Sequence, residues 1–490
     1  MPSIAVVGAG FGGVGAVVML QRAGYKDVTV FERGERVGGV WHHNTYPGAA
    51  CDIPSHLYEF SFAPNPRWTR RYAPQGEIQA YLEDVARRHG VFERIRTRTE
   101  VHSATWNAEG CRWELETSAG PHAADILLTA CGQLSVPSVP PLPGLDEFDG
   151  PSFHTARWRH DVELSGRRVA VVGTGCSAIQ VVPAIQPQVA KLDVYQRSPG
   201  WTFPKMDFAY RDRTMRLLKR MPILQRLDRQ SVFAINELGA MAMTDRQWLL
   251  PALRAMGRRQ INKAIEDPEL RRKVTPTDEI GCKRVMLTDE WYPTLTQPNV
   301  ELVADRISQV TPAGIRTEDG IERPADVIVL ATGFQTHGFV APMEIVGAGG
   351  RRLGEEWAEV PRAYLGLTVP SFPNLFLLYG PNTNGGTGSV IYTLEAGITH
   401  VIAALRELER AGADRIELRQ QAAERFDREL RAALRETVWH SGCTNWYVDE
   451  RGNDPNQWPW TWSAYRRRTA AISHDDYQLS SARSPAGALR

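Results

Sequence analysis

Length, composition and charge limit the kinds of protein that this sequence can encode. The chain has 490 residues, of which 42% are hydrophobic and 23% are charged, so two or three packed domains are expected and disordered or collagen-like classes are excluded. Its 57 basic and 56 acidic residues leave a formal net charge of +1, which gives no overall field for a polyanion, and we expect no nucleic acid partner.

The start of the chain has no features of a targeting segment. An apolar run over residues 4–7 passes directly into glycines, with no basic stretch before it and no cleavage site after it. No stretch approaches the roughly 20 apolar residues that a membrane-spanning helix needs. We therefore expect a cytoplasmic protein with no membrane partner.

The first predicted elements form a βαβ unit that contains a glycine-rich turn. Strand, turn, helix and second strand cover, in this order, residues 4–7, 8–13, 14–22 and 28–31. The turn has the pattern G-x-G-x-x-G at Gly8, Gly10 and Gly13, and its place between strand and helix lets backbone N–H groups hold a pyrophosphate. Glu32, 24 residues after Gly8, can accept hydrogen bonds from both ribose hydroxyls and repel a 2′-phosphate. The unit therefore predicts an FAD site.

The same order of elements recurs in the middle of the chain. Strand, turn, helix and second strand cover residues 169–172, 173–178, 179–185 and 192–195. The residues of this turn that are expected to contact a dinucleotide are Gly173, Thr174, Gly175, Ser177 and Ala178. Arg197 lies 24 residues after Gly173, where the first unit has Glu32, and a guanidinium there attracts a 2′-phosphate through charge-assisted hydrogen bonds. The second unit therefore predicts NADPH as the second cofactor.

The other segments connect and extend these two units. Residues 141–160, rich in proline, glycine and aromatics, predict a linker, and the Arg- and Leu-rich residues 207–280 predict helices. Strands are predicted over residues 300–303 and 327–330. An apolar stripe at helical spacing over residues 394–408 predicts a helix packed on a sheet. The polar end of the chain from Ala471 is expected to be frayed.

Together these elements predict an α/β fold with two Rossmann-like dinucleotide-binding domains and a helical insertion. The FAD-binding domain takes its first part from residues 1–140 and its second part, with an aromatic-rich segment, from residues 335–490. The NADP-binding domain combines residues 141–206, which include the linker, with residues 281–334. The helical insertion, residues 207–280, separates these two parts.

The cysteines are widely scattered and form no C-x-x-C pair. This spacing argues against a zinc site or a dithiol redox motif, and we expect no metal. We interpret all six as separate, buried or half-buried thiols: Cys51, Cys111, Cys131, Cys176, Cys282 and Cys443.

A segment between the two units resembles the fingerprint F-x-G-x-x-x-H-x-x-x-W of type I Baeyer–Villiger monooxygenases. The pattern falls on Phe148, Gly150, His154 and Trp158. In the related flavin-containing monooxygenases and N-hydroxylases the last aromatic is usually not tryptophan, so Trp158 favours the ketone oxidisers. The next residue is Arg159, where the family usually has proline or aspartate.

The resemblance extends over nearly the whole chain. The residues that match flavin-contacting positions of the family are Gly39, Val40, Trp41, Asp52, Tyr58 and Val101. The residues that match its NADPH positions, besides Arg197, are Ser198, Lys283 and, in a looser match to a mobile segment, Trp446.

The resemblance also implies an active site and a reaction. In such enzymes reduced flavin adds dioxygen to give a C4a-peroxyflavin whose anion attacks a ketone, and a fixed cation must stabilise this anion in a dry pocket. By resemblance the cation is Arg284, oriented by Asp52, while Lys283 reaches the 2′-phosphate. The implied enzyme uses FAD and NADPH to insert one oxygen atom from O₂ next to a ketone carbonyl, which gives an ester or lactone.

Some alternatives remain open at this point. A flavin monooxygenase that oxidises nitrogen or sulfur could use the same scaffold, and a sensor could hold FAD and NADP without turnover, although a sensor has no use for Arg284 and Asp52. Residues 439–462 contain five of the 14 tryptophans. They predict packing in a core or domain interface, with a lid over substrate and NADP as the alternative.

Overall fold

The structure, a computed structural model, describes residues 1–481 as a mixed α/β molecule built on two five-stranded parallel sheets. The predicted α/β class with two βαβ units is confirmed. In this part of the chain no helix has the length and apolar character that crossing a membrane requires.

The first sheet carries the first glycine-rich turn at the end of its central strand. In spatial order its parallel strands are Leu375–Leu377, Ile126–Thr129, Ile4–Val7, Val28–Phe31 and Ile95–Arg96. These strands are mostly apolar because both faces of a parallel sheet are covered. The long helix Val390–Ala411 has the predicted buried stripe, which includes Leu394 and Leu408. It was expected to pack on a sheet, but it packs mainly on the helices Phe11–Ala23 and Trp462–Thr469.

A smaller sheet and two helices complete this half of the molecule. The strands of the smaller sheet are Glu344–Val346, Val101–Asn107, Arg112–Thr117 and Gly120–Ala124. The helices are Val40–His43 and Gln75–Arg88, with a 3-10 turn at Phe92–Arg94.

The second large sheet carries the second glycine-rich turn. In spatial order its parallel strands are Val300–Val303, Lys191–Tyr195, Arg168–Val172, Val327–Leu330 and Ser152–His154. The predicted linker thus contributes an edge strand. Gly150 lets the linker backbone lie close to residue 326, because a Cβ at position 150 would be only 2.4 Å from the Asp326 carbonyl oxygen.

Short elements surround the second sheet. They are the helices Ala178–Ile185 and Trp291–Leu295, the 3-10 turns Leu145–Glu147, Thr155–Arg157 and Gln186–Gln188, and the antiparallel strands Ile307–Thr311, Gly314–Thr317 and Glu322–Pro324.

The stretch predicted to be helical contains four α-helices. They are Asp212–Arg220, Pro222–Met243, Leu250–Ala264 and Pro268–Val274, with a 3-10 turn at Gln247–Leu249. Two short paired strands, Thr202–Phe203 and Met286–Leu287, close the base of this stretch.

The last third of the chain packs against the first sheet. Its remaining elements are the helices Leu353–Glu356, Gln420–Arg435 and Trp462–Thr469, the 3-10 turns Ala348–Gly350 and Val438–His440, and the antiparallel strands Arg415–Leu418 and Tyr477–Ser480. The expectation of a frayed end from Ala471 is therefore wrong for residues 477–480, and residues 482–490 lie outside the described residues. Tyr477 anchors this strand, because its buried hydroxyl lies 2.9 Å from both Thr368 Oγ1 and His400 Nε2.

Candidate active site

The first glycine-rich turn forms a narrow cradle at the N-terminus of the helix Phe11–Ala23. Gly8 has a φ of +106°, and a Cβ there would lie 2.5 Å from the Ala130 carbonyl oxygen. A Cβ on Gly39 would come within 3.1 Å of Gly10 Cα, so two side-chain-free backbones face each other. Gly10 also caps the helix without a side-chain hydrogen bond, which leaves backbone N–H groups for a ligand. This donor set fits the pyrophosphate of a dinucleotide.

Glu32 is fixed at the edge of this cradle. Its buried carboxylate accepts hydrogen bonds from the backbone N–H groups of Ala9, at 2.8 Å, and Gly34, at 2.7 Å. The third glycine, Gly13, lies so close to the strand that a Cβ would be 1.9 Å from the Gly8 carbonyl oxygen. The carboxylate is thus held next to the turn, where the predicted ribose contact requires it.

The predicted flavin-contacting aromatics lie together beside the first turn. Gly39, with a φ of +56°, precedes the helix Val40–His43, and Trp41 Nε1 donates to the Tyr58 hydroxyl at 3.0 Å. The Tyr58 ring is 5.4 Å from the ring of Phe11. Val101 is buried at the start of its strand, on the smaller sheet. The contacts of these residues with a flavin stay predictions.

The second turn repeats this geometry with more open space. Gly173 has a φ of +111°, and a Cβ there would lie 2.5 Å from the Ala331 carbonyl oxygen. A Cβ on Gly175 would meet no atom within 4 Å, so the turn is open on the side where a ligand would lie. Ser177 precedes the helix without a side-chain cap, and Ala178, in the place of the third glycine, is fully buried. Thr174 is half-buried between the two glycines.

Three residues predicted to bind NADPH lie close together, and two of them, Arg197 and Lys283, are predicted to hold its 2′-phosphate. Lys283 Nζ donates to Ser198 Oγ at 2.9 Å, and Arg197 is exposed next to Ser198. The structure adds Asp278, which sequence reasoning did not single out and which forms an ion pair with Lys283. A phosphate at this point must share Lys283 with the Asp278 carboxylate.

Arg284 and Asp52 form a half-buried ion pair between the two nucleotide folds. Arg284 Nη2 and Nε donate to Asp52 Oδ2 at 2.6 and 3.2 Å. Burial raises the pKa of the Asp52 carboxyl, but the Arg284 guanidinium lowers it more, and the net pKa is below the usual value. The Asp52 carboxylate in turn raises the pKa of Arg284. Both groups therefore stay charged at neutral pH.

A glutamine from the second fold positions the segment that carries Asp52. Tyr46 donates its hydroxyl proton to Gln180 Oε1 at 2.9 Å, and Gln180 Nε2 donates to the Ala50 carbonyl oxygen at 3.0 Å. Gly48 approaches the same helix, because a Cβ there would lie 2.5 Å from the Gln180 carbonyl oxygen. These contacts connect the two nucleotide folds directly beside Asp52.

Further side chains that act electrostatically on the Arg284–Asp52 pair were missed as site residues, and four of them are Cys176, Lys205, Tyr379 and Tyr447. Burial raises the pKa of Tyr379 to about 12 although Arg284 opposes this, so its phenol stays neutral. The sequence contained signals for three of them. Cys176 lies inside the second turn, Tyr447 adjoins Trp446, and Tyr379 follows a strand of the first sheet at the end where ligands bind in such sheets.

The fingerprint residues brace the edge of the second sheet. Gly150 lies under the ring of Phe148, and the ring of Trp158 packs edge-on against Phe153 at 5.1 Å. His154 is buried, accepts the Ala156 N–H at 3.1 Å through Nδ1, and has its pKa lowered by burial. Its role in coupling the two folds stays a prediction. Arg159 forms an exposed ion pair with Asp161.

The interpretation of all six cysteines as separate thiols is wrong for two of them. Cys282 and Cys443, 161 residues apart, form a disulfide, while Cys51, Cys111, Cys131 and Cys176 are free. Sequence spacing could not reveal this pair, because a disulfide depends on tertiary proximity of the two Cα atoms. The bond joins the segment of Arg284 to the segment of Trp446.

The aromatic-rich segment is mainly core. Trp439, Trp458 and Trp462 are buried in one cluster, as the packing interpretation expects. Trp446 differs, since it is 38% exposed and its ring lies 4.2 Å from that of Tyr447. Its predicted contact with the nicotinamide cofactor stays a prediction.

Comparison with known proteins identifies the family. Residues 2–343 match the family described as flavin-binding monooxygenase-like. The chain belongs to this family. A Baeyer–Villiger monooxygenase of Streptomyces coelicolor is 42% identical over 478 residues, which cover 97% of this chain and 92% of that protein.

Two solved structures are similar over almost the whole chain. An oxidised steroid monooxygenase bound to NADP has a TM-score of 0.87 and 33% identity, and covers 98% of this chain and 99% of its own. The OTEMO complex with FAD and NADP has a TM-score of 0.87 and 26% identity, with the same coverage. The predicted resemblance to Baeyer–Villiger monooxygenases is confirmed, and with it the predicted class, an FAD- and NADPH-dependent flavoprotein monooxygenase.

Proposed function

We propose that this monooxygenase converts ketones into esters or lactones and that Arg284 is the cation at its reacting centre. The observation that carries this proposal is the half-buried Arg284–Asp52 pair between the two nucleotide turns. FAD, when bound and reduced by NADPH, supplies the electrons that activate dioxygen. The chain must then stabilise negative charge on oxygen in a site with little water, which a fixed guanidinium does well.

Asp52 has the role of orienting Arg284. Both hydrogen bonds from the guanidinium to Asp52 reach a single carboxylate oxygen, Oδ2, so this carboxylate engages one edge of Arg284 and leaves N–H groups on its other side that can face the reacting oxygen. The guanidinium cannot give up its proton at neutral pH, and the carboxylate raises the pKa of Arg284 further. Within the pair, the Arg284 guanidinium therefore supplies a permanent positive charge that does not protonate a neighbouring anion.

A ketone and a thioether, supplied separately, test the reaction class. With FAD-loaded protein, NADPH and air, we expect ester or lactone from a panel of linear, cyclic and aryl ketones, with NADPH consumed in proportion. Sulfoxide without ester would show a nitrogen- or sulfur-oxidising enzyme instead. Absence of NADPH-dependent oxygen uptake with every ketone tried, in fully FAD-loaded protein, would favour the sensor.

The proposed NADPH site rests on the group of Arg197, Ser198 and Lys283. Removing the exposed guanidinium with Arg197→Ala should raise the KM for NADPH by about 10- to 150-fold, which corresponds to the 1.5–3 kcal/mol of a charged hydrogen bond, with little change for NADH. Arg87→Ala removes an exposed arginine from the first nucleotide fold and is the matched control. Equal weakening toward both cofactors would refute the 2′-phosphate assignment.

The proposed compartment is the cytoplasm, where cells regenerate NADPH. Disulfides there are rare and are usually transient. The Cys282–Cys443 bond is therefore expected to be present only in part of the protein in the cell.

A further inference from the structure

Exposed apolar side chains are concentrated in the helices that follow the second nucleotide turn. Within residues 1–481, ten of the sixteen exposed large hydrophobic side chains lie between residues 206 and 256, about a tenth of the chain. Single exposed apolar residues are ordinary on a protein surface, but a contiguous group marks an interaction site.

The helix Pro222–Met243 carries the most regular part of this group. Ile223, Leu227, Ile235 and Leu238 are 53–67% exposed and follow one another after four, eight and three residues, so they lie on one side of the helix. Three of the residues that this helix buries, Gln225, Val232 and Met243, lie on the opposite side. The helix therefore has an apolar stripe that faces away from the protein. We call these four residues the outer stripe.

The segment that contains the outer stripe is rich in positively charged residues. Residues 205–263 contain 13 Lys and Arg against 5 Asp and Glu, a net charge of +8, whereas the whole chain has +1. The preceding helix Asp212–Arg220 exposes four cations: Arg213, Arg216, Lys219 and Arg220. We call these four residues the basic group.

Two of the five acidic residues of this region are engaged by other parts of the protein. Glu237 is buried and accepts the backbone N–H groups of Trp462 and Ser463. Asp228 is engaged by His56 Nδ1 at 2.7 Å. Two of the five carboxylates therefore do little to neutralise the surface that the cations form.

We propose that this face binds the surface of an anionic lipid membrane. Amphipathic helices that lie in the plane of a bilayer, without spanning it, insert apolar side chains into the membrane interface and place cations beside the anionic lipid headgroups. This face has both kinds of side chain. Trp248, 71% exposed in the 3-10 turn after the helix, is of the type that is enriched at membrane interfaces. A second protein copy fits the charge less well, because both copies would present the same exposed cations of the basic group and would repel each other.

The inference revises the expectation of no membrane partner, which rested only on the lack of a spanning segment. It goes beyond the proposed oxygenation and does not depend on it. A protein docked in this way could take a poorly soluble ketone directly from the lipid.

Vesicle flotation of the FAD-loaded protein tests the proposal. We expect binding to vesicles of phosphatidylcholine and phosphatidylserine in equal amounts, weak binding to phosphatidylcholine alone, and loss of binding as salt is raised, because salt screens exposed charge. Changing the basic group to Gln should weaken binding to the anionic vesicles by about 100-fold or more. Changing the outer stripe to Gln, a good helix former, should weaken it on both kinds of vesicle.

Matched controls remove the same chemistry elsewhere. Lys26, Arg87, Arg428 and Arg467 are exposed, and changing all four to Gln alters the net charge equally. Phe92→Gln with Ile321→Gln removes exposed apolar side chains from other surfaces. Both controls should float like the parent protein, and a control that loses as much binding as the test variant would overturn the proposal.

Two further results would also overturn it. One is equal flotation of the parent protein with anionic and neutral vesicles. The other is a parent protein that binds no vesicles but changes its oligomeric state, measured by light scattering, when the outer stripe is altered. The face would then belong to a second copy of the chain. Turnover of a water-soluble ketone should be unchanged in all variants, so membrane binding and oxygenation can fail separately.

Discussion

Replacing Arg284 with alanine should abolish ester formation while leaving FAD bound. Losing one preorganised donor at a developing oxyanion costs about 10²–10³-fold in rate, and Arg284 contributes a full charge as well, so we expect a loss of at least about 10³-fold. Reduction of the flavin by NADPH precedes the reaction with oxygen and should continue. The oxygen consumed should appear as hydrogen peroxide.

The measurements are anaerobic stopped-flow reduction, peroxide release and product analysis with a ketone that the parent protein accepts. Arg284→Lys keeps a cation but presents a compact ammonium whose pKa can fall on burial, so it should restore little ester. Arg254→Ala is a suitable control, because it removes another arginine–carboxylate pair, with Glu279, from the neighbouring helix. Ester formation at the parental rate in Arg284→Ala would place the reacting centre elsewhere.

Replacing Asp52 with asparagine should weaken both stability and catalysis. The substitution keeps the size and an acceptor oxygen but leaves Arg284 half-buried without its counter-charge. Loss of one partner of a fully buried pair costs about 3–5 kcal/mol. Because this pair is half-buried, we expect a decrease of about 1–3 kcal/mol in the free energy of unfolding, together with a fall in ester formation as Arg284 loses its fixed orientation.

The pH dependence of this effect has a definite sign. The folded-state pKa of Asp52 is below its usual value of about 3.9, so the carboxylate stabilises the fold above that pH and the contribution is lost as the pH falls through the folded-state pKa. The difference between parent and Asp52→Asn in denaturant midpoint should thus be full at pH 7 and shrink below about pH 4. A difference that grows toward acid pH would contradict the role of the ion pair.

The local sequence pattern was sufficient to predict the two nucleotide-binding units. Each glycine-rich turn needs backbone conformations and close approaches that only glycine permits, and the contrast between Glu32 and Arg197 depends only on an equal distance along the chain. The helices of residues 207–280 were predicted from local composition, and the helix of residues 394–408 was predicted from helical periodicity. Both signals are properties of neighbouring residues.

Only the tertiary structure showed which residues from distant parts of the chain contact each other. The Cys282–Cys443 disulfide, the pairing of Asp278 with Lys283, and the burial of Tyr477 in a terminal strand join groups whose proximity no spacing rule encodes. The outward direction of the outer stripe was also hidden, because an apolar stripe at helical spacing reads the same whether it packs on a core or faces away from it. Sequence by itself therefore determined the cofactor folds, and the tertiary structure determined what surrounds Arg284 and which surface the protein offers to a partner.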